Sequence, residues 1–184
     1  YATNEKGTNY GEQRSLNTNG TINGHEYVDL GLPSGLKWAT CNVGADSPEG
    51  YGNYYAWGET TTKSDYSSSN SATYGLSISQ LQSQGYIDGS GDLTPSHDAA
   101  RANWGSTWRM PTKAELEELE NKCTWKWTTQ NGVKGYKVTG PNGSCIFLPA
   151  AGRSDGASLS LDGEYGYYWS STPNDYDDED AYRL

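Results

Sequence analysis

Alternating apolar and polar positions predict a β-hairpin near the start of this chain. Residues 25–30 and 36–43 both alternate, and each predicts a strand. Leu32-Pro-Ser-Gly35 lies between them and places Pro and Gly where a turn favours them. An antiparallel pair joined by this turn is therefore expected.

A second region predicts a three-stranded meander. Residues 124–128 alternate strictly, and the Asn131-Gly132 pair that follows is a strong turn signal. Residues 135–139 and 145–148 supply the next two strands, with a turn at Pro141-Asn-Gly143. Further short strands are expected at 54–57 and 167–171. Residues 59–74 are mostly Thr, Ser, Asp and Asn, and residues 154–166 are Gly- and Ser-rich, so both are expected to be loops.

The clearest helix signal lies between these regions. Thr112 is a good N-cap, and Glu115, three residues later, completes a capping box. Pro111 keeps the preceding backbone extended. A helix over 114–121 follows, with Leu116 and Leu119 on one face.

Two weaker helix signals precede it. Residues 76–81 can form a helical turn, and Ser96 is a plausible cap for a helix over 98–103. Trp104 and Trp108 bracket a Gly-Ser-Thr turn, and both rings are expected to be buried. Short strands, two small helices and long connections indicate an α+β fold.

The chain is predicted to form one domain over 21–184, since its 184 residues suit a single core. Residues 1–20 are rich in Asn, Thr and Gly and show no periodicity, which is typical of a leader or linker. Only 33% of the residues are hydrophobic, with 7 Trp and 15 Tyr but one Phe. The core must therefore rest largely on aromatic rings.

Charge excludes one class of partner. The net charge is -10, from 13 basic and 23 acidic residues. Binding nucleic acid requires clustered Lys and Arg, so nucleic acid is not an expected partner. No stretch is long and apolar enough to span a membrane, and no signal peptide opens the chain. Tyr1 in place of Met indicates a trimmed product, so a removed leader stays open.

The cysteines and histidines predict no catalytic or zinc site. Cys41, Cys123 and Cys145 are odd in number and lack zinc-site spacing. Buried free thiols are favoured, with a Cys41–Cys123 disulfide as the alternative in an oxidising compartment. His25 and His97 accompany no nucleophile motif. No catalytic residue is predicted.

One acidic run is a candidate for calcium. Carboxylates on a loop can supply the oxygen ligands that calcium requires. The run has no EF-hand spacing, so a solvated acidic loop is the favoured interpretation. Its carboxylates are Asp175, Asp177, Asp178 and Asp180.

Aromatic residues near the C-terminus form the candidate ligand-binding set. Tyr beside Asn, Ser and Gly is the composition of antibody-like binding surfaces, and such rings can also stack on sugars. The alternative is that many of these rings supply the core. The candidate ligand-binding residues are Tyr165, Tyr167, Tyr168, Trp169, Ser171, Asn174 and Tyr176.

The chain also carries a family resemblance. Trp108-Arg-Met-Pro-Thr-x-x-Glu-Leu116 resembles the Trp-Arg-Leu-Pro-Thr-x-x-Glu-Trp signature of formylglycine-generating-enzyme-like domains, a branch of the C-type-lectin-like fold. Within that group, the chain most resembles the major paralogous domain of bacterial surface proteins. The further segments that carry this resemblance are 24–44, 54–60, 146–152 and 168–172.

The resemblance implies a C-type-lectin-like fold without its relatives' catalyst. Those relatives oxidise a substrate cysteine with a cysteine pair near the C-terminal end of the domain and a copper ion. Nothing after Cys145 matches that pair, and the calcium-lectin sugar motifs are also missing. No cofactor is therefore expected apart from the weak calcium site.

The expected function is a non-catalytic ligand-binding or adhesion module, exported and displayed on a bacterial surface. It would recognise protein or carbohydrate through its C-terminal loops, as in related retroelement-diversified proteins. One alternative is a structural or tip subunit. Related domains continue past the equivalent of Leu184, so the final strands are either lost here or supplied by strand exchange with another chain. The other alternative is an enzyme with an unrecognised site.

Overall fold

A computed structural model describes residues 2–4, 7–9, 19–105, 107–174 and 181–184. It shows a mixed α+β arrangement in which short antiparallel strands form small sheets. The strands are β1 (Ala2–Asn4), β2 (Gly7–Asn9), β3 (Gly20–Ile22), β4 (His25–Asp29), β5 (Lys37–Ala39), β6 (Thr124–Gln130), β7 (Val133–Thr139), β8 (Cys145–Pro149), β9 (Arg153–Asp155), β10 (Ser158–Ser160), β11 (Trp169–Pro173) and β12 (Ala181–Arg183). The helices are α1 (Ile78–Ser83), α2 (Ala99–Trp104) and α3 (Lys113–Lys122), with a 3-10 turn at Ser68–Asn70.

The predicted helix α3 is confirmed, together with its cap. The hydroxyl of Thr112 accepts the Glu115 amide, and the Glu115 carboxylate accepts the Thr112 amide at 2.8 Å. Arg109 donates to the same carboxylate at 2.7 and 2.5 Å, so the Glu115 carboxylate forms an ion pair in addition to its capping bond. Leu116 and Leu119 are buried, as their spacing predicts.

Helix α1 confirms the prediction over 76–81, with a capping box between Ser77 and Gln80. Helix α2 is also confirmed, but its predicted cap is wrong. The Asp98 carboxylate accepts the Arg101 amide at 2.9 Å, whereas the Ser96 hydroxyl lies 3.2 Å from that of Thr94. The described residues contain three α-helices, one more than the two small helices of the predicted fold.

The predicted meander is confirmed as the antiparallel sheet β6-β7-β8. Asn131 and Gly132 connect β6 to β7 with φ values of 48° and 86°. Two successive left-handed residues are what a tight hairpin turn requires, and Asn-Gly adopts them readily.

The predicted N-terminal hairpin is confirmed as β4 paired with β5, but β5 spans three residues instead of eight. Strand β3 joins the other side of β4, so this sheet has three strands. It begins at Gly20, the last residue of the predicted leader. Strands β1 and β2, which were not predicted, pair with each other in that same segment.

In the aromatic and Gly-rich segments two predictions are wrong, and a third is confirmed with shifted bounds. Residues 54–57 form no strand, because the backbone carbonyls of Tyr54 and Trp57 accept the hydroxyls of Tyr66 and Thr73 instead of a neighbouring strand. The predicted loop 154–166 contains the hairpin β9–β10. The final predicted strand, β11, begins two residues late and pairs with β12.

The buried residues form two apolar clusters. One joins the two three-stranded sheets to α3; its members are Val28, Leu30, Leu32, Leu119, Val138 and Ile146. The other lies beneath the loops; its members are Trp57, Leu81, Ile87, Leu93 and Ala181.

Aromatic rings supply part of the interior, as the composition predicts. Trp104 and Trp108 are both 8% exposed and pack edge to face, with ring centroids 5.1 Å apart. The Trp108 indole donates to the carbonyl of Ile22 at 2.9 Å, which ties this ring pair to β3. Trp127, in contrast, is 43% exposed and is not a core residue.

Candidate functional site

One face of the β6-β7-β8 sheet changes from buried to exposed along its length. Trp125 lies opposite Val138, and Trp127 opposite Tyr136. Because side chains alternate along a strand, these four residues share one face. Val138 is fully buried in the cluster with Leu119 of α3, whereas Trp127 and Tyr136 are 43% and 41% exposed. The apolar face therefore extends beyond the part that α3 covers.

The uncovered end of this face borders a cavity of about 750 Å³, named here the sheet cleft. Outside the meander, residues 164–166, Tyr168 and Leu184 also line it. Its lining residues are Glu120, Trp125, Trp127, Tyr136, Leu148, Pro149, Ala150, Glu164, Tyr165, Gly166, Tyr168 and Leu184. Ligand pockets in proteins commonly have volumes of about 300–1,000 Å³.

The rings of the sheet cleft are fixed at steep angles to one another. Tyr136 lies between the two indoles, 5.0 Å from Trp127 and 5.6 Å from Trp125, with interplanar angles of 71° in both pairs. The Trp125 indole also donates to the carbonyl of Leu119 at 3.3 Å. Tyr165 also lines the cleft and is 57% exposed. Together, these rings form a preformed aromatic surface that is partly exposed to solvent.

The charge of the sheet cleft is acidic. Glu120 and Glu164 line it, and both side chains are exposed. Among the described residues, neither carboxylate forms an ion pair, and no Lys or Arg lines the cleft. A ligand in this cleft therefore meets aromatic rings and negative charge.

A second cavity of about 610 Å³, named here the loop cleft, lies among the long connections. Arg153 and Arg183 lie over the ring of Tyr167 at 5.5 and 5.6 Å, and Arg183 is also 5.8 Å from the ring of Trp169. Asp155 and several Tyr residues complete its lining. In the loop cleft, aromatic rings are therefore already in cation–π contact with arginines of the same chain.

The structure divides the candidate ligand-binding residues between the two clefts. Tyr165 lines the sheet cleft, Tyr168 lines both, and Tyr167, Trp169 and Asn174 line the loop cleft. Ser171 lies in the interior at 4% exposure, with its hydroxyl 3.2 Å from the Asp92 carboxylate. Tyr176 and the candidate calcium ligands Asp175, Asp177, Asp178 and Asp180 lie outside the described residues.

Tyr168 lines both clefts and is held through its hydroxyl. Its hydroxyl donates to the carbonyl of Pro149 at 2.7 Å and lies 3.4 Å from the Asn42 amide nitrogen. Burial raises the pKa of this phenol well above its usual value, so the ring stays neutral. Tyr168 therefore serves as a fixed wall.

The cysteines do not follow the expectation of buried thiols. All three are free, Cys145 is exposed, and Cys41 and Cys123 are half-buried. Burial and the neighbouring Glu118 carboxylate raise the pKa of Cys123. Within the described part of the chain, no three His, Cys, Asp or Glu residues are placed to hold a metal ion.

Sequence reasoning missed the aromatic half of the sheet cleft. The strict alternation of residues 124–128 places Trp125 and Trp127 on one face, but tryptophans were assigned to the core. Whether such a face is covered depends on where α3 ends above it, which is not a property of the strand itself. The sequence signal that could have identified this face is the spacing of Trp125 and Trp127, two residues apart on an alternating strand.

Comparisons of this chain with protein-family models, with curated proteins and with solved structures found no match. Among the helices of the described residues, none has the length and apolar character needed to cross a lipid bilayer.

Proposed function

We propose that this chain is a non-catalytic binding module that holds a protein or carbohydrate ligand in the sheet cleft. The observation that carries the proposal is the exposed ring set of Trp127, Tyr136 and Tyr165 around one cavity. Rigid aromatic rings give large contact area at low entropic cost, and they are enriched at binding hot spots. Half-exposed rings with fixed geometry are ready to be covered by a ligand.

The proposal extends to fold family and setting. The motif order and the α+β arrangement support a C-type-lectin-like domain of the bacterial surface-protein branch. An exported module displayed at the cell surface is the role that this resemblance favours. The C-terminal loops take part through Tyr165, which lines the sheet cleft together with residues of the meander.

An array experiment with two matched variants tests this function. The purified domain is applied to glycan and surface-protein arrays as wild type, Tyr136→Ala and Tyr74→Ala. Tyr136 lines the sheet cleft and Tyr74 the loop cleft, and their exposures of 41% and 44% are nearly equal. Tyr136→Ala is expected to weaken binding about tenfold or more, which is the scale of a hot-spot ring, whereas Tyr74→Ala leaves it unchanged.

Two results contradict the proposal. If the wild type binds nothing on either array, the binding function is wrong. If Tyr74→Ala loses binding while Tyr136→Ala retains it, the ligand occupies the loop cleft instead. Circular dichroism of both variants separates loss of binding from loss of structure.

A further inference from the structure

We propose that the group held in the sheet cleft is a lysine or arginine side chain on a segment of a partner protein. This inference rests on the proposed binding function and specifies its ligand. The juxtaposition that points to it is an aromatic corner, formed by Trp125, Tyr136 and Trp127, beside two exposed carboxylates, Glu120 and Glu164.

The ring geometry suits a cation. A cation is attracted to the face of an aromatic ring, and rings at steep angles let one cation contact more than one ring. Tyr136 makes an angle of 71° with each of the two indoles, so adjacent rings form walls rather than a flat stack. Flat surfaces suit stacked planar ligands, whereas a walled corner suits a compact cationic group.

The charges of the cleft have the matching sign. Glu120 and Glu164 both line it, and its described lining contains no basic side chain that would compete with an incoming cation. Lys126 and Lys137 lie opposite each other on the other sheet face, whereas Lys134 shares the face of Tyr136, two residues away along β7, but does not line the cleft. A neutral ligand can donate hydrogen bonds to the two carboxylates, but only a cation is also attracted by their charge.

The loop cleft provides an internal comparison. There, Arg153 and Arg183 lie over Tyr167 at 5.5 and 5.6 Å. Elsewhere Lys113 lies 3.6 Å from the ring centroid of Tyr182. The chain thus uses cation–π contacts at several of its tyrosines. No Lys or Arg of the described residues occupies the faces of Trp125, Trp127, Tyr136 or Tyr165.

The size of the cleft favours a side chain on a protein segment over a free small cation. Its volume of about 750 Å³ exceeds what one ammonium or guanidinium group fills. The exposed rings and Leu148 along it offer apolar area for the aliphatic stem and for neighbouring residues. Basic segments also complement the net charge of -10, which steers them toward this protein.

The test uses short peptides whose charged and neutral forms have nearly the same shape. Acetyl-Gly-Arg-Gly-amide is compared with its citrulline analogue, and acetyl-Gly-Lys-Gly-amide with its norleucine analogue. Binding is followed through the indole N–H signals of Trp125 and Trp127 by NMR, with choline as a small-ammonium probe. Trp127→Ala, Glu164→Gln and the control Tyr74→Ala are titrated alongside wild type.

The charged peptides are expected to shift the two indole signals, and the neutral analogues to bind about fivefold more weakly or worse. Trp127→Ala and Glu164→Gln should each weaken the charged peptides about threefold or more, while Tyr74→Ala has no effect. Raising the salt concentration should weaken the charged peptides alone.

Equal binding of charged and neutral peptides would overturn the inference, as would choline binding more tightly than either charged peptide. An array ligand that binds through Tyr136 while no cationic peptide binds would also overturn it. That last result leaves the proposed binding function standing, so the two failures are distinguishable.

Discussion

Asp98 joins two elements through a single buried carboxylate. It is 3% exposed and accepts the amide of Arg101 at 2.9 Å and the amide of Met110 at 2.8 Å. The first bond caps α2, and the second fixes the segment that leads into α3. Ser, Thr, Asp and Asn are all good caps, so residue type does not separate Asp98 from Ser96, the cap that the sequence predicts. The bond to Met110, twelve residues away, distinguishes them.

Replacing Asp98 should therefore cost far more than replacing Ser96. Asp98→Ala removes a cap and leaves the Met110 amide without its acceptor, a loss of about 2 kcal/mol in the free energy of unfolding. Ser96→Ala should change that free energy by less than about 0.5 kcal/mol. Urea unfolding of both variants measures the difference, and equal effects would show that Asp98 is not the cap.

Glu115 makes a pH-dependent contribution to stability. Burial opposes its ionisation, but hydrogen bonds from Arg109 and Thr112 outweigh burial and hold its pKa below the usual value. A carboxyl group whose pKa is lowered on folding stabilises the protein above its unfolded pKa, about 4.3, and loses this as the pH falls through the folded value.

The difference in thermal midpoint between wild type and Glu115→Gln should therefore be largest at neutral pH and shrink below about pH 4. Thermal unfolding from pH 3 to pH 7 follows it. Glu117→Gln is a suitable control, because Glu117 is an exposed carboxylate on the same helix, 3.9 Å from the Lys113 ammonium. A constant difference across this pH range would contradict the assignment.

At the scale of elements, prediction succeeded where local signals agreed with tertiary contacts. Helix α3 has a complete capping box and two leucines three apart, and the meander has Asn131-Gly132 between alternating strands. Residues 54–57 are equally aromatic, but the backbone carbonyls of Tyr54 and Trp57 accept side-chain hydroxyls instead of pairing with a strand, so aromatic content alone predicted the wrong element. The residues of hairpin β9–β10 are polar and Gly-rich, so their sequence does not indicate that they form two paired strands.

The candidate site divides in the same way. Alternation could place Trp125 and Trp127 on one face, and composition could single out Tyr165. Neither could bring them to one cavity, because that depends on how residues 164–168 fold back over the meander. Sequence reasoning also joined Tyr165 to Tyr167, and their rings are neighbours with centroids 6.4 Å apart, but Tyr165 lines the sheet cleft and Tyr167 the loop cleft.

Gly140 is the point where the meander meets the N-terminal sheet. It is buried, and a Cβ added there would overlap the backbone carbonyl of Leu30, an atom that cannot move aside. Gly140→Ala should therefore cost about 3 kcal/mol or more, at the upper end of overpacking effects. Gly89→Ala is the control, since a Cβ at that exposed glycine meets nothing within 4 Å. Urea unfolding that finds the two variants equally stable would contradict this packing.

At the scale of the whole molecule, one tyrosine separates two clefts of different character. The sheet cleft combines exposed rings with carboxylates, and the loop cleft combines rings with the chain's own arginines. Tyr168 lines both and is anchored to Pro149. A ligand of the sheet cleft therefore meets a preformed surface whose charge differs in sign from that of its neighbour.

Fluorine NMR of the domain labelled with 5-fluorotryptophan tests the central claim most directly. The partner found on the arrays is added, and each signal is assigned by Trp→Phe substitution. Binding in the sheet cleft predicts shifts of the Trp125 and Trp127 signals, with those of Trp57 and Trp169, which line the loop cleft, unchanged. Shifts of Trp57 and Trp169 with Trp127 unmoved would contradict the account.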